Sequence, residues 1–115
     1  MEEYIVLMRL DLITKEKQPT PDQLKVYMEH YQDWVNGIIA QDKFVGGTGL
    51  DPKGKVLKRG GVVTDGPFAE IKESLAGFIV IRAGSLEEAV EIAQGNPVLN
   101  GEGNSVEVRR INGKH

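Results

Sequence analysis

A chain of 115 residues has the length of a single domain and can bury about two thirds of the surface that its unfolded form exposes. Its 40% hydrophobic and 27% charged residues are ordinary for a globular protein, and a net charge of −3 without a long basic run argues against nucleic acid as a partner. The lack of cysteine excludes disulfides, thiolate catalysis and cysteine-based metal sites, and it fits a reducing compartment.

Met1-Glu2-Glu3-Tyr4 lacks the basic start of a signal peptide, and no apolar run approaches the roughly 20 residues of a membrane span. The expectation is a cytoplasmic protein with no membrane partner. Tyr4 to Leu12 reads as a strand whose run Ile5, Val6, Leu7, Met8 is apolar on both faces, as in the middle of a covered sheet. Thr14 to Pro19 reads as a loop. Thr20-Pro21-Asp22-Gln23 then starts a helix, with Thr20 as N-cap, Pro21 at the first helical position and Gln23 closing a capping box. Leu24, Met28, Tyr31, Val35 and Ile38 follow as one helical stripe, so the helix runs to about Gln41.

Between Phe44 and Thr64, glycines alternate with short apolar pieces, which predicts short strands joined by turns, one of them Asp51-Pro52-Lys53-Gly54. Ala76 to Ala83 is a second strand apolar on both faces. Ser85-Leu86-Glu87-Glu88 is another capping box, opening a helix with Leu86, Ala89, Val90 and Ala93 inward; Gly95-Asn96-Pro97 stops it. Val106, Val108 and Ile111 mark a last strand.

This order predicts one α+β domain over residues 1–115, a ferredoxin-like antiparallel sheet with both helices on one face. Yet Tyr4–Leu10 and Ala76–Ala83 are apolar on both faces. The uncovered face needs a partner, and a second copy of the same sheet is the economical one, which predicts a two-fold homodimer.

Asp65-Gly66-Pro67-Phe68-Ala69-Glu70-Ile71-Lys72-Glu73 is the stretch where chemistry is sought. Asp65 has two readings. It is a general acid or base whose pKa is raised in a partly apolar cleft near Phe68, or it is a turn residue whose carboxylate accepts a backbone N–H. In an extended segment, Phe68, Glu70 and Lys72 share one face. They either contact a polar substrate or form a solvated edge. Glu107 and Arg109 alternate with Val106 and Val108, pointing away from the helix-packed face, where they bind an anionic group or pair at a dimer interface. Tyr31 belongs to the helix stripe with its hydroxyl near a cleft or within the core, and Trp34 flanks it as packing.

Several other features are dismissed. His30 has no ligand-spaced partner and His115 lies in the tail, so no metal is expected. Gly46-Gly47-Thr48-Gly49 lacks the Gly-Lys-Ser/Thr ending of a phosphate loop. Ser74, Thr48 and Thr64 have no evident base, so no nucleophilic triad is expected.

By Tyr4-Ile5-Val6-Leu7-Met8, the Asp65-Gly66-Pro67-Phe68-Ala69-Glu70 motif with Lys72-Glu73, then Gly77-Phe78, Leu86-Glu87-Glu88-Ala89 and Glu107-Val108-Arg109, the chain resembles the YCII-related, or DGPF-domain, family over almost its whole length. The resemblance implies a ferredoxin-like fold that dimerises face to face into an α+β barrel. It also implies a cleft that in some members includes a histidine–aspartate pair. A few related proteins resemble dehydrochlorinases or lactone isomerases acting on small ring compounds, and longer members are linked with sigma-factor-type regulation. Here Tyr31 stands where such members carry the helix histidine, with His30 beside it, so a histidine mechanism is not carried over.

The sequence thus leads to a homodimer binding a small organic molecule without a cofactor. As an enzyme it would use Asp65 for isomerase- or lyase-type proton transfer, with Tyr31, Phe68, Glu70, Lys72 and Arg109 around the substrate. The alternative is a non-catalytic ligand-sensing or protein-interaction module.

Overall fold

The computed structural model describes residues 1–66 and 74–113. In chain order they form β1 (Glu2–Arg9), α1 (Pro21–Ala40), β2 (Phe44–Gly49), β3 (Gly54–Lys58), β4 (Gly61–Gly66), β5 (Leu75–Ala83), α2 (Leu86–Ala93) and β6 (Ser105–Arg110). The main sheet has the order β2-β5-β1-β6 with every neighbouring pair antiparallel, and β3 and β4 form a separate two-stranded hairpin. Leaving the hairpin aside, this is the ferredoxin-like arrangement, in which the two central strands are each followed by a helix. The molecule measures 43 × 40 × 19 Å. The smallest extent matches one sheet and one helical layer, since packed layers are about 10 Å apart.

The alternation within the strands decides which face is covered. Tyr4, Val6 and Met8 of β1 and Ile79, Ile81 and Ala83 of β5 are buried beneath the helices with Ile38, Ala89, Ala93 and Val98. Their neighbours Ile5, Leu7, Phe78 and Val80 face the other way and stay half-buried, with no helix or strand among the described residues packed over them.

The start of α1 follows its sequence signal: Thr20 Oγ1 accepts the Gln23 N–H (3.2 Å) and Gln23 Oε1 accepts the Thr20 N–H (2.9 Å). Its end is a Schellman turn. Lys43 N–H donates to Ile38 O, Asp42 N–H donates to Ile39 O, and Asp42 takes the left-handed conformation at φ 58°. At α2, Ser85 Oγ accepts the Glu88 N–H, but the Glu88 carboxylate bonds Gly84 N–H and Lys43 Nζ instead of closing the box on Ser85. These contacts hold the Glu88 carboxyl below its usual pKa, the Gly84 N–H foremost.

Several expectations need correction. β1 ends at Arg9, not Leu12, because Asp11 Oδ1 accepts the N–H groups of Ile13 and Thr14 and turns the chain. A 3₁₀ turn at Lys15–Lys17 lies within the segment read as a loop. Leu24 and Met28 are 46% and 51% exposed, so the buried stripe of α1 begins at Tyr27 and continues through Tyr31, Trp34, Val35 and Ile38. Tyr31 lies over Met8, near the end of β1, and a helix rises 1.5 Å per residue, so Leu24 projects roughly 10 Å past the strand end. On α2, Leu86 and Val90 are exposed and Ile92 is half-buried. The small Ala89 and Ala93 bring the helix close to the sheet and turn those larger residues outward.

Gly47 shows how tightly β2 lies on β5. A Cβ there would overlap Phe78 O and come within 2.6 Å of Ile79 Cα, both backbone atoms that cannot yield. Gly47→Ala is expected to cost about 1–3 kcal/mol, read as a lower urea midpoint with an unchanged slope.

Candidate functional site

The aromatic residues of α1 form a ladder along its inner face. Tyr27 and Tyr31 stack with centroids 6.2 Å apart at 29°, and Tyr31 and Trp34 tilt at 55° with centroids 5.6 Å apart. Trp34 closes one end: its Nε1–H donates to Ile92 O (3.0 Å), and a Cβ on Gly95 would lie 2.9 Å from the indole ring. Only glycine allows that approach. Toward the other end, the Tyr31 hydroxyl donates to Met8 Sδ at 3.7 Å. A thioether is a weak acceptor, so this hydroxyl is held but readily redirected.

Burial pushes the Tyr27 hydroxyl up to about 12, with Tyr31 adding to the shift, and burial raises Tyr31 as well. Tyr31 is therefore a neutral phenol near neutrality. It serves as a hydrogen-bond donor and not as a base.

Beyond Tyr31, which contacts Met8 near the end of β1, α1 continues past the strand with Leu24 and Met28 exposed. Leu10 N–H donates to Ser74 O (3.2 Å), extending the β1–β5 ladder past Arg9 and Leu75. The ladder is irregular between Met8 and Arg9: Met8 pairs with Gly77 and Arg9 with Leu75, leaving Ala76 as an extra residue. That extra residue sets Ser74 opposite Leu10, which packs against the core on the helix side. Ser74 is 6% exposed, and its Oγ has no hydrogen-bond partner among the described residues.

The expected site residues fall in three places. Tyr31 packs between α1 and the sheet, its hydroxyl on Met8. Asp65 lies in β4, its backbone opposite Lys55 of β3, one residue before the end of that strand; the turn expected from Gly66 to Pro67 runs outside the described residues. Arg109 lies on β6 opposite Ile5, exposed, on the sheet face turned away from α1. A single cleft holding Tyr31 and Arg109 within one subunit is therefore not formed, because the sheet stands between them. Phe68, Glu70, Lys72 and the rest of their motif after Gly66 lie outside the described residues, as does His115.

Glu107 is settled within the chain: Arg9 Nη2 donates to its Oε1 at 3.1 Å, on the open face. His30 is exposed on α1, and no group of three or more His, Asp or Glu suited to a metal occurs among the described residues. Ser74 was passed over at the sequence level for want of a base partner. The signal for it was a lone hydroxyl heading a strand that is otherwise apolar on both faces.

The family model of the YCII-related domain matches residues 8–112. This chain belongs to the YCII-related domain family. An uncharacterized protein of Rhizobium meliloti strain 1021, R00369, is 48% identical over 50 residues, covering 44% of this chain and 40% of that protein. This YCII-related chain thus matches less than half the length of that relative. A similar solved structure is 5-chloro-2-hydroxyhydroquinone dehydrochlorinase from Burkholderia phenoliruptrix AC1100 in complex with 2,5-dihydroxybenzoquinone. It is 17% identical, with 91% of this chain and 90% of that one covered and a TM-score of 0.42. No helix among the described residues is long and apolar enough to cross a membrane.

The raised tyrosines make a pH prediction. The folded state holds the Tyr27 proton to about 12, whereas an unfolded tyrosine releases it near 10. Stability from this group is complete below pH 10 and is lost as pH rises through 12. The urea midpoint should fall over that interval, and Tyr27→Phe should fall less steeply than the parent.

Proposed function

We propose that this YCII-related protein is a cytoplasmic homodimer that binds a small organic molecule in the cleft between α1 and the sheet. In that cleft it carries out cofactor-independent proton transfer of the isomerase or lyase type. The observation that carries the reading is the end of this cleft, where a neutral Tyr31 hydroxyl meets only a weak sulfur acceptor and Leu24 and Met28 stand half exposed. Such a combination of apolar lining and sparse polar groups suits a small, mostly apolar ligand.

In this reading the Asp65 carboxylate takes a proton from a carbon of the substrate. The proton then returns to a second carbon (isomerisation), or a leaving group departs (elimination). Tyr31 donates its O–H to the substrate oxygen on which negative charge develops. Phe68, Glu70 and Lys72 follow Asp65 in sequence and supply the apolar wall and local charge. Arg109 serves the open face of the sheet.

That open face supports the dimer. Ile5, Leu7, Phe78 and Val80 form its half-buried centre, with Glu3, Arg9, Arg82, Glu107 and Arg109 on the same face around them. A two-fold pairing of identical faces covers the apolar centre and leaves the charges at the rim.

Two measurements test this. Light scattering of the wild type should report a dimer and Phe78→Glu a monomer; a wild type that is monomeric at micromolar concentration overturns the assembly. Once a substrate is found, Asp65→Asn should lower kcat by about 10²–10⁴-fold in a folded variant, and unchanged turnover removes Asp65 from the chemistry. A ligand that raises the unfolding temperature without being converted would instead favour a sensing module.

A further inference from the structure

We propose that the β3–β4 hairpin is an arm whose tip docks on the second copy of the chain, and that this contact holds Asp65 in place. The inference rests on the reading above of a homodimer with Asp65 in its chemistry, and it adds the dependence of the site on assembly.

The hairpin leaves the sheet at the end where Tyr31 meets β1. Gly49 and Met8 both pair with Gly77, and Leu50 N–H donates to Ala76 O (2.8 Å). Only Asp51, Pro52 and Lys53 then separate the sheet from the hairpin's first pair, Gly54 with Gly66. Beyond that base, β3 and β4 pack on each other, and no described helix or strand of the main layer packs along them. The radius of gyration is accordingly 15.4 Å, against about 13 Å for a compact chain of this length. A two-stranded hairpin on its own is marginally stable in water, and here Leu57 is 70% exposed.

A second copy is the occupant that the dimensions favour. The molecule is 19 Å thick, one sheet and one helical layer, so the hairpin lies beside these layers and not over α1. It therefore widens the footprint that a subunit offers to a partner paired on the open face. Strands of six to nine residues give the four-stranded face a footprint of about 450 Å², roughly half of the ~800 Å² per partner of a standard interface. The arm and the surface that it covers add about 175 Å² each per subunit, which brings the footprint to that size. Charge points the same way. Lys53, Lys55, Lys58 and Arg59 crowd the arm with no acidic residue among residues 53–59, whereas the whole chain is net −3. Such an arm is drawn to the acidic body of a second copy. Asp65 pairs with Lys55 one step from the base, so a docked tip fixes the backbone that carries this carboxylate at the Tyr31 end of the sheet.

Analytical ultracentrifugation and hydrogen exchange of the full chain test this, with Leu57→Glu and with a photoreactive benzophenone on Arg59→Cys, which would carry the only thiol. Leu57→Glu should weaken the dimer by about 10–100-fold, the worth of burying one leucine, and leave the urea midpoint of the monomer unchanged. Amides of residues 54–58 should be protected in the wild type and lose that protection on dilution to the monomer. On irradiation, the benzophenone should join two chains. Once a substrate is known, Leu57→Glu should lose turnover at low protein concentration and regain it at high concentration, whereas Asp65→Asn should gain nothing from concentration. An equally tight dimer in Leu57→Glu, or a benzophenone that joins only residues of its own chain, overturns the arm while the pairing probed by Phe78→Glu stands. A monomeric wild type overturns both. Full turnover in dissociated Leu57→Glu, or in Asp65→Asn, overturns the link between arm and site alone.

Discussion

β1 and β5, the central strands of the sheet, are apolar on both sides, but the connections of the chain place both helices on one side only. Everything else in the molecule follows from that mismatch. On the covered side, Val6 and Ile81 are wholly buried and the helices lie close enough for alanine at positions 89 and 93 to be the contact residues. On the other side, Leu7 and Phe78 are held opposite each other by the same ladder, with no described helix or strand over them. Burying them is worth on the order of 1.5–3 kcal/mol per side chain. That gain is available to the protein only through association, which is why the proposed dimer follows from the strands more than from any single contact.

The covered side is also where α1 outruns the sheet. A helix that starts beyond the end of the strand it packs on leaves its first turns without a floor. α1 does this: β1 stops at Arg9 because Asp11 captures the next backbone N–H groups, whereas α1 begins two turns further out, set by the Thr20 cap. The overhang exposes Leu24 and Met28 and brings Tyr31 to the last covered strand residue, Met8. Two local capping events, by the side chains of Asp11 and Thr20, thus set how far the helix runs past the strand.

The elements were legible in the sequence because their signals are local. Thr20-Pro21 and Ser85 start helices by hydrogen bonds within three residues, and the glycines between Phe44 and Thr64 broke the region into three strands. Helix faces were less legible, since Leu24 and Met28 satisfy the periodicity of a buried stripe, and only the length of the facing strand reveals that nothing lies beneath them. The site was legible in part. Tyr31 was found, and alternation along the last strand already turned Arg109 away from the helix-packed face, as its register opposite Ile5 shows; that same direction is what keeps it from sharing one cleft with Tyr31. Ser74 was missed because its importance comes from an extra residue in the ladder, and a pairing irregularity between strands some seventy residues apart leaves no trace in either strand alone.

The sheet separates charge as well as space, and this bears on what each face can recognise. Arg9, Arg82, Glu107 and Arg109 all lie on the open side, while Met8, Leu10, Tyr31 and Ser74 on the cleft side are uncharged. An anion drawn to the arginines would meet a surface that is also apolar at its centre and, in the proposed dimer, enclosed by a second copy. On the helix side, by contrast, the Tyr31 hydroxyl meets the Met8 sulfur. The four-stranded layer between the two keeps them from acting on one ligand in a single subunit. Arg109 and Tyr31 therefore serve opposite faces, and one ligand held in a single subunit cannot touch both.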